Sequence, residues 1–149
     1  VFIAQIEFAK KVKKPLIVHI REASNDSRQI LIDCNAQEVG GVLHCFNASE
    51  HLLPLAEHNF CFGIGGVLTF KNAKKLVEIL PEIPKDKLLI ETDAPYLTPH
   101  PHRGERNEPY YTVFVAQKMA ELLNITEEEI QELTTNNAKK LFKEFSSLS

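Results

Sequence analysis

The stretch LLIETDAP (88–95) ends an apolar run on two carboxylates. Side chains alternate along a strand, so Leu89, Glu91 and Asp93 share one face and Leu88, Ile90 and Thr92 the other. Two acids on one face of a strand end suit a metal or acid–base site better than plain solvation. Two more apolar runs end in ligand-type residues. PLIVHI (15–20) carries His19 and GGVLHCF (40–46) carries His44. Imidazole and carboxylate both bind zinc, manganese and similar divalent ions. Each residue alone fits an ordinary role, a hydrogen-bonded core histidine or a turn aspartate. Three of them at the ends of three strands favour a shared ion.

A second group of residues suits phosphate. LTPHPHRGERNEP (97–109) follows Asp93 and places His100, His102, Arg103 and Arg106 close together. A guanidinium matches phosphate oxygens, often with two hydrogen bonds. Asn107 can donate to a phosphate or orient a neighbour. Arg21 shares the face of His19, two residues further out. Cys45 alternates with His44, which turns it toward the opposite face and away from chemistry. His51 and His58 fall on a helix and are expected to be exposed.

The elements that must position these residues alternate along the chain. Phe2, Ile6, Ala9 and Val12 recur at helical spacing, and Lys10, Lys11, Lys13 and Lys14 precede the stop at Pro15. Strands are predicted at 15–20, 40–46, 60–66 and 87–93. Helices are predicted at 24–38, 49–58 (capped by Ser49), 71–80, 109–123, 127–134 (with Thr126 and Glu129 as a capping box) and 136–145. Strand and helix repeated four times predict an α/β fold with parallel strands and crossover helices. Sites in such folds lie beyond the carboxyl ends of the strands.

Composition narrows the choice of partners. The net charge of −3 over 149 residues gives no general pull toward nucleic acid, so polyanion binding must come from a local cluster. No apolar run approaches the ~20 residues needed to span a bilayer. Cys34, Cys45 and Cys61 form no CxxC pair, which fits reduced, buried thiols and a cytoplasmic protein.

Taken in order, PLIVHIREA, GVLHCF, FGIGG, LLIETDAPYLTP, RGERNEP and NNAKKLF resemble the successive signatures of the TatD-type metal-dependent deoxyribonucleases. The resemblance covers essentially the whole chain and implies an amidohydrolase-like (β/α)8 barrel with two divalent metals, Mg, Mn or Zn. It implies His19, His44 and Asp93 as metal ligands and Asp93 and Glu91 as catalytic residues, with Asp93 beside the attacking water and Glu91 lining the same site. It also implies hydrolysis of DNA phosphodiester bonds, from the 3′ end. Arg106, Asn107 and Arg21 would then hold phosphates, and the location would be cytoplasmic, or nuclear in a eukaryote. Family members also carry an HxH pair and a GEIGLD-like segment, which are absent here, and a glycine where this chain has Ala48. The expectation is therefore a single domain over 1–149 forming the carboxyl-terminal part of a barrel. Its open inner face, with Ile17, Val42 and Leu89, would take a second copy or the missing strands, and its own activity would be low. The same ligands would serve a hydrolase of small amides or lactones, and a non-catalytic binding protein would use them as core polar groups.

Overall fold

Four strands run side by side in chain order, all parallel: β1 (Leu16–His19), β2 (Gly41–His44), β3 (Phe60–Ile64) and β4 (Leu88–Ile90). The computed structural model describes residues 1–143. Five α-helices occur among them: α1 (Phe2–Val12), α2 (Ser24–Asp33), α3 (Lys74–Ile79), α4 (Thr112–Leu123) and α5 (Glu127–Leu141). This is the predicted α/β arrangement. None of these helices is long and apolar enough to cross a membrane.

The alternation of side chains divides the sheet into two faces. Val18, Leu43, Phe60, Phe62, Ile64 and Leu88 point into the main core beneath the helices. Ile17, Val42, Cys61 and Leu89 alternate onto the other face. That second face is less open than expected. Val42 and Leu89 are buried, packed with Cys61 against Ala138, Leu141 and Phe142 at the end of α5. Only Ile17 of the expected apolar trio stays open, at 68% exposure. Asn137 fixes α5 to the sheet, donating from Nδ2 to the carbonyls of Lys85 (2.8 Å) and Leu88 (2.9 Å).

Several boundaries differ from the sequence reading for identifiable reasons. The 24–38 helix is broken at Asn35, which turns left-handed (φ 51°), and resumes only as a 3-10 turn, Ala36–Glu38. Residues Glu50–His58 form a 3-10 helix around Pro54, which lacks the amide an α-helix needs. Ser49 makes no side-chain cap there; its own amide donates to Asn47 Oδ1. The 71–80 helix begins three residues late, at Lys74. The final two helices are one. The Thr126–Glu129 capping box opens α5, and Thr134 stays helical by donating from Oγ1 to the Ile130 carbonyl (2.8 Å). Phe145 lies outside the described residues.

Candidate metal centre

The register of β1 and β2 pairs His19 with His44, so the two rings lie on one face with centroids 6.0 Å apart. Beyond β3, β4 stops at Ile90, three residues short of the predicted end. Glu91 adds one last ladder bond, its amide to the Ile64 carbonyl (3.0 Å), before the chain turns away. The Glu91 side chain then lies across Gly63 of the neighbouring strand. A Cβ on Gly63 would sit 2.6 Å from the Glu91 Cδ, so only glycine leaves room.

The Glu91 carboxylate holds β2 at two points. Oε2 lies 2.8 Å from His44 Nδ1, and Oε1 accepts the Cys45 amide. His44 Nε2 in turn lies 2.8 Å from Asp93 Oδ1. Asp93 rides on a tied turn. Its carbonyl accepts the Tyr96 amide (2.7 Å), and Thr92 Oγ1 accepts the Ala94 amide (2.9 Å). Asn107, only 4% exposed, donates from Nδ2 to Thr92 Oγ1 (3.1 Å) and to the Tyr96 carbonyl (2.7 Å).

Electrostatics follow from this sandwich. Burial disfavours a charged His44, but the charges and hydrogen bonds of Glu91 and Asp93 outweigh it and raise the imidazole pKa above 6.5. Burial pushes the Glu91 pKa upward, against the opposing pull of His44 and the Cys45 amide. The Cys45 thiol is pushed up to about 12, first by burial and then by its hydrogen bond to Asp93. A thiol so placed is not a nucleophile near neutral pH.

These contacts bear on a metal. A carboxylate on one ring nitrogen is how proteins orient a ligating imidazole, leaving the other nitrogen for the ion. With Nδ1–H given to Glu91, the Nε2 lone pair faces Asp93, and two acceptors at 2.8 Å need a proton or a cation between them. The donor set therefore fits a divalent ion at His44 and Asp93. It does not complete a shell: among the described residues no group of three His, Cys, Asp or Glu is arranged to hold an ion. His19 stands beside the pair and is exposed.

The profile of the family described as TatD related DNase matches residues 1–143. The chain belongs to the TatD-related DNase family. The metal-dependent hydrolase YabD of Bacillus subtilis (strain 168) is 51% identical over 144 residues, covering 96% of this chain and 56% of that protein. The metal-dependent hydrolase YcfH of Escherichia coli (strain K12) is 40% identical over 142 residues, covering 95% and 54%. The crystal structure of YjjV, a TatD homolog from Escherichia coli K12, superposes with a TM-score of 0.85 at 28% identity, covering 93% of this chain and 54% of that one. The chain thus spans about half the length of the curated relatives it matches.

Within this TatD-family chain, the structure sorts the residues singled out from sequence. It joins His44, Glu91 and Asp93 and sets His19 next to them. It removes Asn107 from the phosphate group, since both hydrogens of its amide are used inside the Asp93 turn. It also removes Arg103, which lies 3.9 Å over the Phe70 ring and donates to the Thr98 carbonyl. His102 stacks on Tyr111 and contacts Glu105, while Arg106 and Arg21 are exposed. Cys45 does not turn away from the site. The strand ends at His44, Cys45 goes left-handed (φ 50°), and strand alternation no longer applies. His51 is exposed as expected, whereas His58 is half-buried against Gln37. Ala48 adopts φ 61°, a conformation that glycine takes without strain. Sequence reasoning missed Gly63; its only signal was a glycine inside the strand pattern of FGIGG, a mark of close approach.

Proposed function

We propose that the protein carrying this chain is a metal-dependent phosphodiesterase that hydrolyses DNA, removing nucleotides from the 3′ end. The observation that carries this reading is His44 held between Glu91 and Asp93, with one ring nitrogen fixed and the other facing a carboxylate. Magnesium, manganese or zinc would be held by His44 and Asp93, with His19 adjacent, and a pair of ions would need further ligands. A bound ion supplies Lewis-acid stabilisation of the charge that develops on a phosphate oxygen. Glu91 orients His44 and stays out of the proton transfer. Asp93 orients the attacking water and accepts its proton on the carboxylate. Arg21 and Arg106, both exposed, take phosphate oxygens. Ile17 on the open inner face and the free edge of β1 suit strands from elsewhere in the protein or from a second copy. The free thiols of Cys34, Cys45 and Cys61 fit a cytoplasmic setting.

The test is release of nucleotides from a 3′-labelled oligonucleotide in the presence of Mg, Mn or Zn. Asp93→Asn keeps the shape of the side chain and removes its charge. The rate is expected to fall by about 10²-fold or more. Wild-type turnover by Asp93→Asn would overturn the role given to Asp93. Turnover of lactones or amides with none of DNA would replace the phosphodiesterase reading.

A further inference from the structure

We propose that a cavity beside His19 binds a nucleoside monophosphate, with the base against its apolar wall and the phosphate on Arg21 and Lys75. The class of ligand rests on the phosphodiesterase reading; the place rests on the cavity itself. The cavity is built from the chain beyond the carboxyl ends of β1, β2 and β3 and from the start of α3. Its volume, about 470 Å³, lies within the roughly 300–1,000 Å³ typical of small-molecule sites.

The lining has two parts. Phe46, Ala48, Val67 and Leu76 make an apolar wall. Phe46 is fixed edge-on against Phe62, with centroids 4.9 Å apart, so this wall is preformed. Arg21 and Lys75 bring two exposed cations, and no Asp or Glu lines the cavity. Neither cation is in an ion pair with a described residue. A flat apolar body bearing one compact anion satisfies both parts at once, whereas free phosphate leaves the wall empty and a nucleoside leaves the cations unanswered. His19 lines the same cavity and stands 6.0 Å, ring to ring, from His44. A nucleotide seated there lies next to the reacting centre and blocks it. The cavity is therefore also the point at which the product inhibits the enzyme.

Calorimetry on the 149-residue chain with EDTA present tests this without turnover. The ligands are dAMP, deoxyadenosine, ribose 5-phosphate and inorganic phosphate. We expect dAMP to bind at least about tenfold more tightly than any of the other three. Arg21→Ala and Lys75→Ala should each weaken dAMP about tenfold, the loss of one charge-assisted contact. Lys74→Ala removes the same charge one residue away, outside the cavity, and should change nothing. Equal binding of phosphate and dAMP, an equal effect of Lys74→Ala, or no dAMP binding at millimolar concentration would each overturn the proposal. Binding of dAMP by the chain, with no hydrolysis of DNA by the full-length protein that carries it, would sink the phosphodiesterase reading and leave the cavity assignment standing. Hydrolysis of DNA without dAMP binding would do the reverse.

Discussion

Gly63→Ala would test the geometry of the site directly. The added Cβ would lie 2.6 Å from Glu91 Cδ, where ordinary carbon contacts are about 3.5–4.0 Å. The carboxylate must therefore retreat by roughly 1 Å, or the strands must part. A retreat of that size takes Glu91 Oε2 from 2.8 Å to beyond hydrogen-bond range of His44 Nδ1, because such bonds fade past about 3.2 Å. It also strains the bond from the Cys45 amide. Losing charge-assisted bonds costs about 1.5–3 kcal/mol each, and overpacking costs about 1–3 kcal/mol. The chain takes the cheaper route, so a loss of about 1–3 kcal/mol is expected. For a chain of this size that lowers Tm by roughly 2–12 °C. Gly65→Ala is the control. Its Cβ would meet nothing closer than the Glu91 carbonyl at 3.5 Å, and its effect should stay within about 0.5 kcal/mol. In a Glu91→Ala background, Gly63→Ala should become nearly neutral, because the obstructing group is gone. Urea denaturation of the four variants measures all of this. A cost at Gly63 that matches Gly65, or that persists without Glu91, would refute the idea that the glycine exists to admit the carboxylate.

Three further outcomes are expected. Asn137→Ala removes two bonds to the Lys85 and Leu88 carbonyls and leaves the latter buried, for a loss of about 2–4 kcal/mol by urea unfolding; a loss under about 0.5 kcal/mol would contradict the clamp between α5 and β4. Asn107→Ala also loses two bonds, but it removes a buried Oδ1 that has no partner, so stability should change by less than about 1 kcal/mol. Exchange of the Ala94 and Tyr96 amides should nevertheless quicken about tenfold, and unchanged protection would deny Asn107 its hold on the Asp93 turn. The raised pKa of His44 means that the folded chain binds this proton more tightly than the unfolded chain. In the metal-free chain its contribution is complete below about pH 6.5 and is lost as pH rises through the raised value. The urea midpoint should therefore fall from pH 6.5 to 8, and Glu91→Gln should flatten that fall; a flat wild-type profile would show that the sandwich does not form.

The strands were readable because short apolar, β-branched runs between turns leave few other options. The shared level of His19, His44 and Glu91 was readable because a period of two fixes which side chains share a face. That logic does not reach Cys45, or Asp93 three residues beyond β4. Cys45 and the end of β4 both depend on φ/ψ choices set by partners from another segment, Glu91 in one case and the Asn107-tied turn in the other. Composition flagged Arg103 and Asn107 as phosphate groups, but their partners, Phe70, Thr98, Thr92 and Tyr96, lie up to 33 residues away and cannot be inferred from spacing. The two helices expected at 127–134 and 136–145 are the single α5 across the junction, where Thr134 Oγ1 donates to the Ile130 carbonyl within the helix.

The cover that α5 lays over Val42, Cys61 and Leu89 has a consequence for synthesis on the ribosome. Asn137 follows the strand carbonyl that it clamps by 49 residues. At translation rates of about 5–20 residues per second, roughly 2–10 s pass between the making of β4 and the making of its clamp. During that interval β2, β3 and β4 can already pair while their second apolar face is wet. A nascent chain stalled just before Asn137 would thus show paired strands with a wet apolar side that α5 later covers.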